Sequence, residues 1–377
     1  MEIYHEVFSG MPDRPIILLT GGDGGFGNFG DELILECWKD FYRPFQKTHS
    51  IIIFMKNPPR QSRDGFHYIP DQRSAFEKAN IGTEQIRWVH YYGGGYLNSY
   101  WLEDKIWLCD FLKEGGFDFK KVFFTGQGLG PFWPDQKNKM DRIFREASWV
   151  GTREPGWKYP GFHFSFDDSI AVYKEKRTGS FLNRFRLGSS IGFNLRAEPY
   201  ADLDRNSLRD PLLIIHRYCT SHRYGLAGLC LVENSCYSDR HLYQGIGKEM
   251  DLPLKIVPKP VDYAGGCHRV SQFSVLITGS YHGALLALYN GIPVVALYHS
   301  AYYKQKFDGL GEIVNNPMFR SLPVGDLSET HIEQTRRTRN GENLGTLNRL
   351  LLHLQQLNRE VRERIKAQLG GKPDPAF

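Results

Sequence analysis

Short apolar runs recur along the chain, and most stop at a glycine or a polar turn before a helix-like segment begins. That alternation constrains the fold most. A strand buried on both faces reads as a continuous apolar run, and a parallel neighbour can be reached only through a crossover. In the first half the runs are Ile16–Thr20, Ser50–Phe54, Arg87–Tyr91 and Val122–Thr125, with helical patterns at Asp31–Lys39, Leu102–Glu114 and Lys137–Arg145. A second series comprises Ile191–Leu195, Leu212–His216, Leu229–Val232, Leu254–Val257, Val275–Thr278 and Pro293–Leu297. Its helices fall at Asp239–Glu249, Tyr263–Ser271 and Tyr281–Asn290. Between the series, "KEKRTGSFLNRFRL" (174–187) is basic and patternless, which places a linker there. The expectation is α/β, with parallel-sheet domains over 1–180 and 181–330 facing each other across a cleft. A helical tail over 331–377, with Leu347, Leu350, Leu351, Leu354, Leu357, Val361 and Ile365 on its apolar face, packs on the body.

At 377 residues the chain can bury two cores, and 41% apolar with 24% charged residues is ordinary for a soluble protein. The net charge of +5 is too small to argue for nucleic acid, but it suits an anionic ligand. Six cysteines form no CxxC pair, which fits reduced thiols and a cytoplasmic setting. The start, "MEIYHEVFSG", has early acids and no apolar core, so no signal peptide is expected, and no window reaches the ~18 apolar residues of a spanning helix. The amphipathic tail leaves attachment at a membrane periphery open, although its mixed charge favours packing on the protein.

In such sheets ligands sit beyond the carboxyl ends of the strands, so the residues just after each run carry the argument. After Ile16–Thr20 comes "GGDGGFGNFGDELIL". Its glycines allow close backbone approach, with Asn28 and Asp31 at a helix start. Read otherwise, it is a tight turn with Asp31 as a helix acid. Its match to GxGxxG is weak, since no acid follows at the spacing a dinucleotide site needs. "YGGGYLN" and "TGQGLGPF" end the next two runs, and two such ends suggest a cleft wall of Gly94 and Gly95, with Asn98 and Gln127 as hydrogen-bonding groups. "VGTREPG" puts Arg153 at a strand end, where a guanidinium grips a carboxylate or phosphate, or else pairs with Glu154. Asp167 and Asp168 read as a turn or helix start. Arg196 and Asn194 follow the first run of the second series, and Glu233 and Asp239 are cap or cleft residues.

"TGSYHGALLALYNGIPVVALY" (278–298) places His282 in the first turn of a helix that follows a buried strand. Free N–H groups and the helix field favour an anion there, and a neutral imidazole can move a proton. Ser280 and Tyr281 add hydroxyls, Gly283 leaves room, and Lys304 or Lys306 lies one strand further on.

Taken in order, "GNFGDE", "YYGGGYLN", "GQGLGPF", "VGTREPG" and "TGSYHGALLALYNGIPVVAL" resemble the polysaccharide pyruvyl transferase family, from about Gly21 to Phe307. The resemblance implies two Rossmann-like domains arranged as in GT-B glycosyltransferases. It also implies transfer of a pyruvyl group from phosphoenolpyruvate to a sugar or glycan, commonly as a cyclic ketal. By it, the second domain holds the donor, the donor-binding residues are Arg153, Arg196, Ser280, Tyr281, Gly283 and Lys304, and His282 is the acid/base. The first holds the acceptor, a lipid- or nucleotide-linked sugar among the candidates, near Asn28, Asp31, Gly94, Gly95, Asn98 and Gln127. Neither a metal nor a further cofactor is implied, and homo-oligomerisation is left open. Many members carry an arginine where this chain has Ser280, which puts the donor in question. The alternatives are a nucleotide-sugar glycosyltransferase and a catalytically silent glycan-binding protein on the same scaffold.

Overall fold

A computed structural model describes residues 14–22, 24–25, 27–59, 64–79, 81–155, 161–173, 188–197 and 204–370. The expected linker, 174–187, lies outside them. The chain divides into two compact units, one of Met1–Phe26, Asp31–Ala171 and Leu354–Phe377, the other of Gly27–Gly30 and Val172–His353.

The first unit holds an eight-stranded parallel sheet. Its strands are β1 (Ile16–Thr20), β2 (Ser50–Met55), β3 (His67–Pro70), β4 (Ile86–Tyr91), β5 (Gly94–Leu97), β6 (Val122–Leu129), β7 (Trp149–Thr152) and β8 (Phe162–Phe164). The order is β3-β2-β1-β4-β6-β7-β8, with β5 pairing to β6. Alternate residues of one strand enter different cores: Ile16 and Leu18 of β1 join one cluster, Ile17 and Leu19 the other. That double burial is why these strands read as unbroken apolar runs. Crossover helices are α1 (Phe29–Tyr42), α2 (Arg73–Lys78), α3 (Leu102–Glu114) and α4 (Pro134–Glu146).

The second unit holds a six-stranded parallel sheet, ordered β11-β10-β9-β12-β13-β14. These are β9 (Ser190–Asn194), β10 (Gly225–Leu229), β11 (Leu254–Val257), β12 (Phe273–Thr278), β13 (Val294–Tyr298) and β14 (Phe319–Pro323). Its helices are α5 (Arg209–His222), α6 (Asp239–Glu249), α7 (Tyr263–Val270), α8 (Tyr281–Tyr289) and α9 (Ala301–Val314). One expected strand, Leu212–His216, is instead part of α5. Leu212, Ile215, Tyr218 and Cys219 are buried while Leu213 is exposed, a helical stripe that a short apolar run conceals. Strand β10 precedes the expected Leu229–Val232, and Val232 makes only an isolated bridge to Asn28.

Residues 331–377, read as a tail, contain most of α10 (Glu329–Arg337) and all of α11 (Gly341–Gly370). Helix α11 is shared: it belongs to the second unit up to His353 and to the first from Leu354. There Val361, Ile365 and Leu369 enter the first unit's core. No helix among the described residues is long and apolar enough to cross a membrane.

Candidate active site

In the second sheet the strand order reverses between β9 and β12, the switch point at which open α/β sheets bind ligands. Asn194 ends β9 opposite Thr278, the end of β12, and Gly279 N–H donates to Asn194 O at 2.8 Å. Thr278 Oγ1 accepts from Ser280 N–H at 2.9 Å, and Ser280 Oγ caps α8 by accepting from Gly283 N–H at 3.3 Å. That turn sets His282 in the first turn of α8, half-buried, with Nε2 shielded from water.

The imidazole lies against the chain segment Gly27–Gly30. A Cβ on Gly30 would stand 1.9 Å from His282 Nδ1 and 2.6 Å from its Cβ, so no side chain larger than hydrogen fits. The segment is fixed to the same unit by Phe29 N–H to Leu231 O (2.9 Å) and Glu233 N–H to Gly27 O (3.0 Å). Asn28 Oδ1 accepts from Gly30 N–H at 3.2 Å. Two motifs far apart in sequence, "GNFGDE" and "TGSYHG", therefore meet at the histidine.

Beneath the strand ends sits Asp239, fully buried, its Oδ2 accepting from Leu231 N–H (2.7 Å), Val232 N–H (2.9 Å) and Asn194 Nδ2 (3.1 Å). Burial raises its pKa, opposed by the Arg196 guanidinium and by the backbone donors. Arg196 is thus a buried cation beside the switch point, close enough to a carboxylate to be stabilised there.

The first unit uses its corresponding strand ends differently. Asp168 is fully buried, and its Oδ2 accepts from Thr125 Oγ1 (2.7 Å), Gly93 N–H (2.8 Å) and Trp38 Nε1 (2.9 Å). Burial raises its pKa and those donors oppose the rise. Because the single Thr125 proton goes to Asp168, His90 Nε2 (2.8 Å away) must donate to Thr125, leaving Nδ1 to accept from Tyr42 at 3.1 Å. Burial pushes His90 down to about 3, which keeps that tautomer neutral. Other glycines of the same two strand ends make room for these interior groups. A Cβ on Gly126 would meet Asp168 Cγ at 2.8 Å, one on Gly93 would meet Asp168 Oδ2 at 2.8 Å, and one on Gly128 would meet Arg153 Nη2 at 2.3 Å.

Several expected contacts are accordingly relocated. Arg153 is 1% exposed and held by Glu154 Oε1 (2.7 Å) and Asp167 Oδ2 (3.4 Å), in an interior ion cluster of the first unit. Gln127 is buried, with Nε2 donating to Tyr91 O (2.8 Å), Tyr92 O (3.0 Å) and Tyr96 Oη (3.1 Å). Asn98 is buried too, fixing its own turn through Gly95 O (2.6 Å) and Tyr100 N–H (2.9 Å). Gly94 has φ +147° and lies under the Tyr96 ring. Asp31 covers Gly22 in the first unit, whereas Asn28 belongs to the second. The space at Gly283, expected to admit ligand, is taken by Thr278 Oγ1, 2.8 Å from where a Cβ would be. Tyr281 is buried. Lys304 is exposed and bonded to Asp308 within α9, and Lys306 lies over the Tyr302 ring at 3.8 Å. Sequence reading missed Asp168 as a hub and Gly30 as the partner of His282. The signal for the first was two glycine-rich ends, at Gly93 and Gly126, with one buried acid to share.

Known structures share this architecture. A UDP-N-acetylglucosamine 2-epimerase from Listeria monocytogenes superposes with a TM-score of 0.57 at 11% identity, covering 96% of this chain and 99% of that one. The glycotransferase of kitacinnamycin gives 0.55 at 10%, covering 95% and 100%, and MurG of Acinetobacter baumannii 0.50 at 11%, covering 94% and 99%. At such identities the likeness defines the fold class, a GT-B-type α/β protein with two parallel sheets. Comparison with curated protein sequences gives no match. The family described as Polysaccharide pyruvyl transferase matches residues 28–301, so the chain belongs to that family and is a transferase.

Proposed function

We propose that the protein transfers the pyruvyl group of phosphoenolpyruvate to hydroxyls of a sugar or glycan as a ketal, with His282 as acid/base. The observation that carries this is the meeting of Gly30 and His282 at the switch point of the second sheet. A shielded imidazole at a helix N-terminus, with the buried Arg196 following the neighbouring strand β9, suits a small anion bearing both carboxylate and phosphate.

The reaction needs one proton delivered to the methylene carbon, making C2 electrophilic. A sugar hydroxyl then adds to C2, the C2–O bond to phosphate breaks, and a second hydroxyl closes the ketal. Of the two hydroxyl protons lost, one is accounted for by the new methyl group and one by hydrogen phosphate. His282 delivers or removes one of them, and the first-turn N–H groups of α8 with Arg196 stabilise the departing phosphate. The donor is assigned to the second unit and the acceptor to the first.

Thermal unfolding against phosphoenolpyruvate, pyruvate, phosphate, UDP, GDP and nucleotide sugars tests the donor. A shift with phosphoenolpyruvate and none with nucleotides is expected. A shift with a nucleotide sugar and none with phosphoenolpyruvate would overturn the proposal in favour of glycosyl transfer.

A further inference from the structure

Helix α6 carries Asp239 and Tyr243 four residues apart, so both lie on one face, and both reach the end of β9. Asp239 Oδ2 takes Asn194 Nδ2 at 3.1 Å, and Tyr243 takes the next residue. The β9 ladder stops at Asn194, opposite Thr278, so the N–H and C=O of Leu195 fall beyond the sheet. Leu195 is buried, where backbone groups need partners. One hydroxyl serves both: Leu195 N–H donates to Tyr243 Oη at 3.1 Å, and Tyr243 Oη donates to Leu195 O at 3.1 Å. Asn194 Nδ2 donates to the same oxygen at 3.2 Å, so both lone pairs are taken and the proton is committed to Leu195 O. Burial holds the Tyr243 pKa well above its usual value, which keeps that proton in place. The ring is seated independently of its oxygen. It stands edge-on to Phe193 at 5.0 Å, and a Cβ on Gly228 would be 2.8 Å from Tyr243 Cδ2.

We propose that Tyr243 is a positioning residue for the donor. By holding both backbone groups of Leu195, it sets the direction in which the chain leaves β9 and so the placement of Arg196, the next residue. The inference rests on the pyruvyl-transfer reading, in which Arg196 meets a carboxylate or phosphate oxygen, and adds to it a residue that touches no substrate. The Leu195 N–H belongs to the peptide before that residue and its C=O to the peptide after it. A single oxygen bonded to both therefore restrains φ and ψ of Leu195 together, one step before the arginine. Gly279 N–H pins Asn194 O from the β12 side at 2.8 Å, so the strand end itself is already fixed, and the setting left to Tyr243 is that of Leu195. A guanidinium grips an oxyanion through a planar fork, which makes its hold sensitive to aim.

The test is a double-mutant cycle of Tyr243→Phe and Arg196→Gln in the full chain, read by calorimetric titration with phosphoenolpyruvate and, separately, with inorganic phosphate. Arg196→Lys replaces the glutamine variant if that one does not fold. Tyr243→Phe keeps the ring and removes one oxygen. It should weaken phosphoenolpyruvate about tenfold when Arg196 is present and no more than about twofold when it is absent, because the hydroxyl acts through the arginine. A merely structural hydroxyl would lower the melting temperature and leave affinity unchanged, or weaken it equally in both backgrounds. 4-Aminophenylalanine in place of Tyr243 keeps a donor for Leu195 O; it should recover part of the loss, and it carries the cycle if the phenylalanine variant does not fold. Unchanged affinity in the Tyr243 variants, equal losses in both backgrounds, or wild-type affinity in the Arg196 variant overturns the assignment. If the wild type binds phosphate but not phosphoenolpyruvate, the pyruvyl reading falls alone and the cycle runs on phosphate. If it binds phosphoenolpyruvate without coupling between the two residues, Tyr243 falls alone. Binding of neither anion overturns both.

Discussion

The two sheets reverse their strand order at equivalent places, between β1 and β4 and between β9 and β12, yet they fill those places in opposite ways. In the first unit the Tyr92 ring lies over Gly21, where a Cβ would be 2.1 Å from it, and Asp168 and Arg153 occupy the space under Gly93, Gly126 and Gly128. In the second, a Cβ on Gly279 would meet nothing nearer than 3.6 Å, and the histidine of the next turn is held from one side by Gly30. Glycine at a strand end therefore does not by itself mark a ligand. What the glycine packs against decides between a buried polar hub and a site.

That contrast can be broken most forcefully at Arg153. Arg153→Ala leaves Glu154 and Asp167 buried without their cation and should destabilise the first unit by about 3–5 kcal/mol in chemical denaturation. The melting shift that phosphoenolpyruvate gives to the remaining folded protein should persist; loss of that shift with little loss of stability would return Arg153 to the donor site. Gly30→Ala should do the reverse. Displacing the imidazole by about an ångström should lower turnover on the order of 10²-fold, while the overpacking costs about 1–3 kcal/mol, less than the loss at Arg153.

Acid sharpens the comparison from the first unit's side. His90 is held near 3 when folded and titrates near 6.5 when unfolded, so the unfolded chain takes the proton first. Its stabilisation is whole above pH 6.5 and is lost as the pH falls towards 3, about 2 kcal/mol by pH 5. Asp168 and Asp239, whose pKa values are raised, contribute in the opposite sense, gaining stability on acidification. Comparing pH–stability curves of the wild type and His90→Gln isolates the histidine: the variant should lose less between pH 6.5 and 5. The smallest effect is expected at Ser280. Removing its cap of α8 with Ser280→Ala should cost about 1 kcal/mol, read by thermal unfolding.

Much of the sheet framework was legible because double burial writes a strand as an apolar run. The run Ile16–Thr20 and the helices Leu102–Glu114 and Asp239–Glu249 coincide with β1, α3 and α6. Leu212–His216 failed because four consecutive apolar residues fit either period, and only Tyr218 and Cys219 further on reveal the helical one. Strand β8 has no fully buried residue and left no apolar signature. At the site, the position of His282 after a buried strand was readable from local order alone. Its contact with Gly30 was not, since 252 positions separate them and no periodicity links them. The burial of Arg153, Asn98 and Gln127 was equally invisible, because a polar side chain at a strand end can turn outward or inward. The choice depends on Glu154, Asp167 and the tyrosine carbonyls that receive it.

The most direct test of the central claim is His282→Asn, assayed for phosphate release from phosphoenolpyruvate with a sugar acceptor and, in parallel, for thermal stabilisation by phosphoenolpyruvate alone. The account predicts that release falls on the order of 10²–10⁴-fold while the folded protein is still stabilised by the donor. Release at the wild-type rate would contradict it and remove His282 from the chemistry.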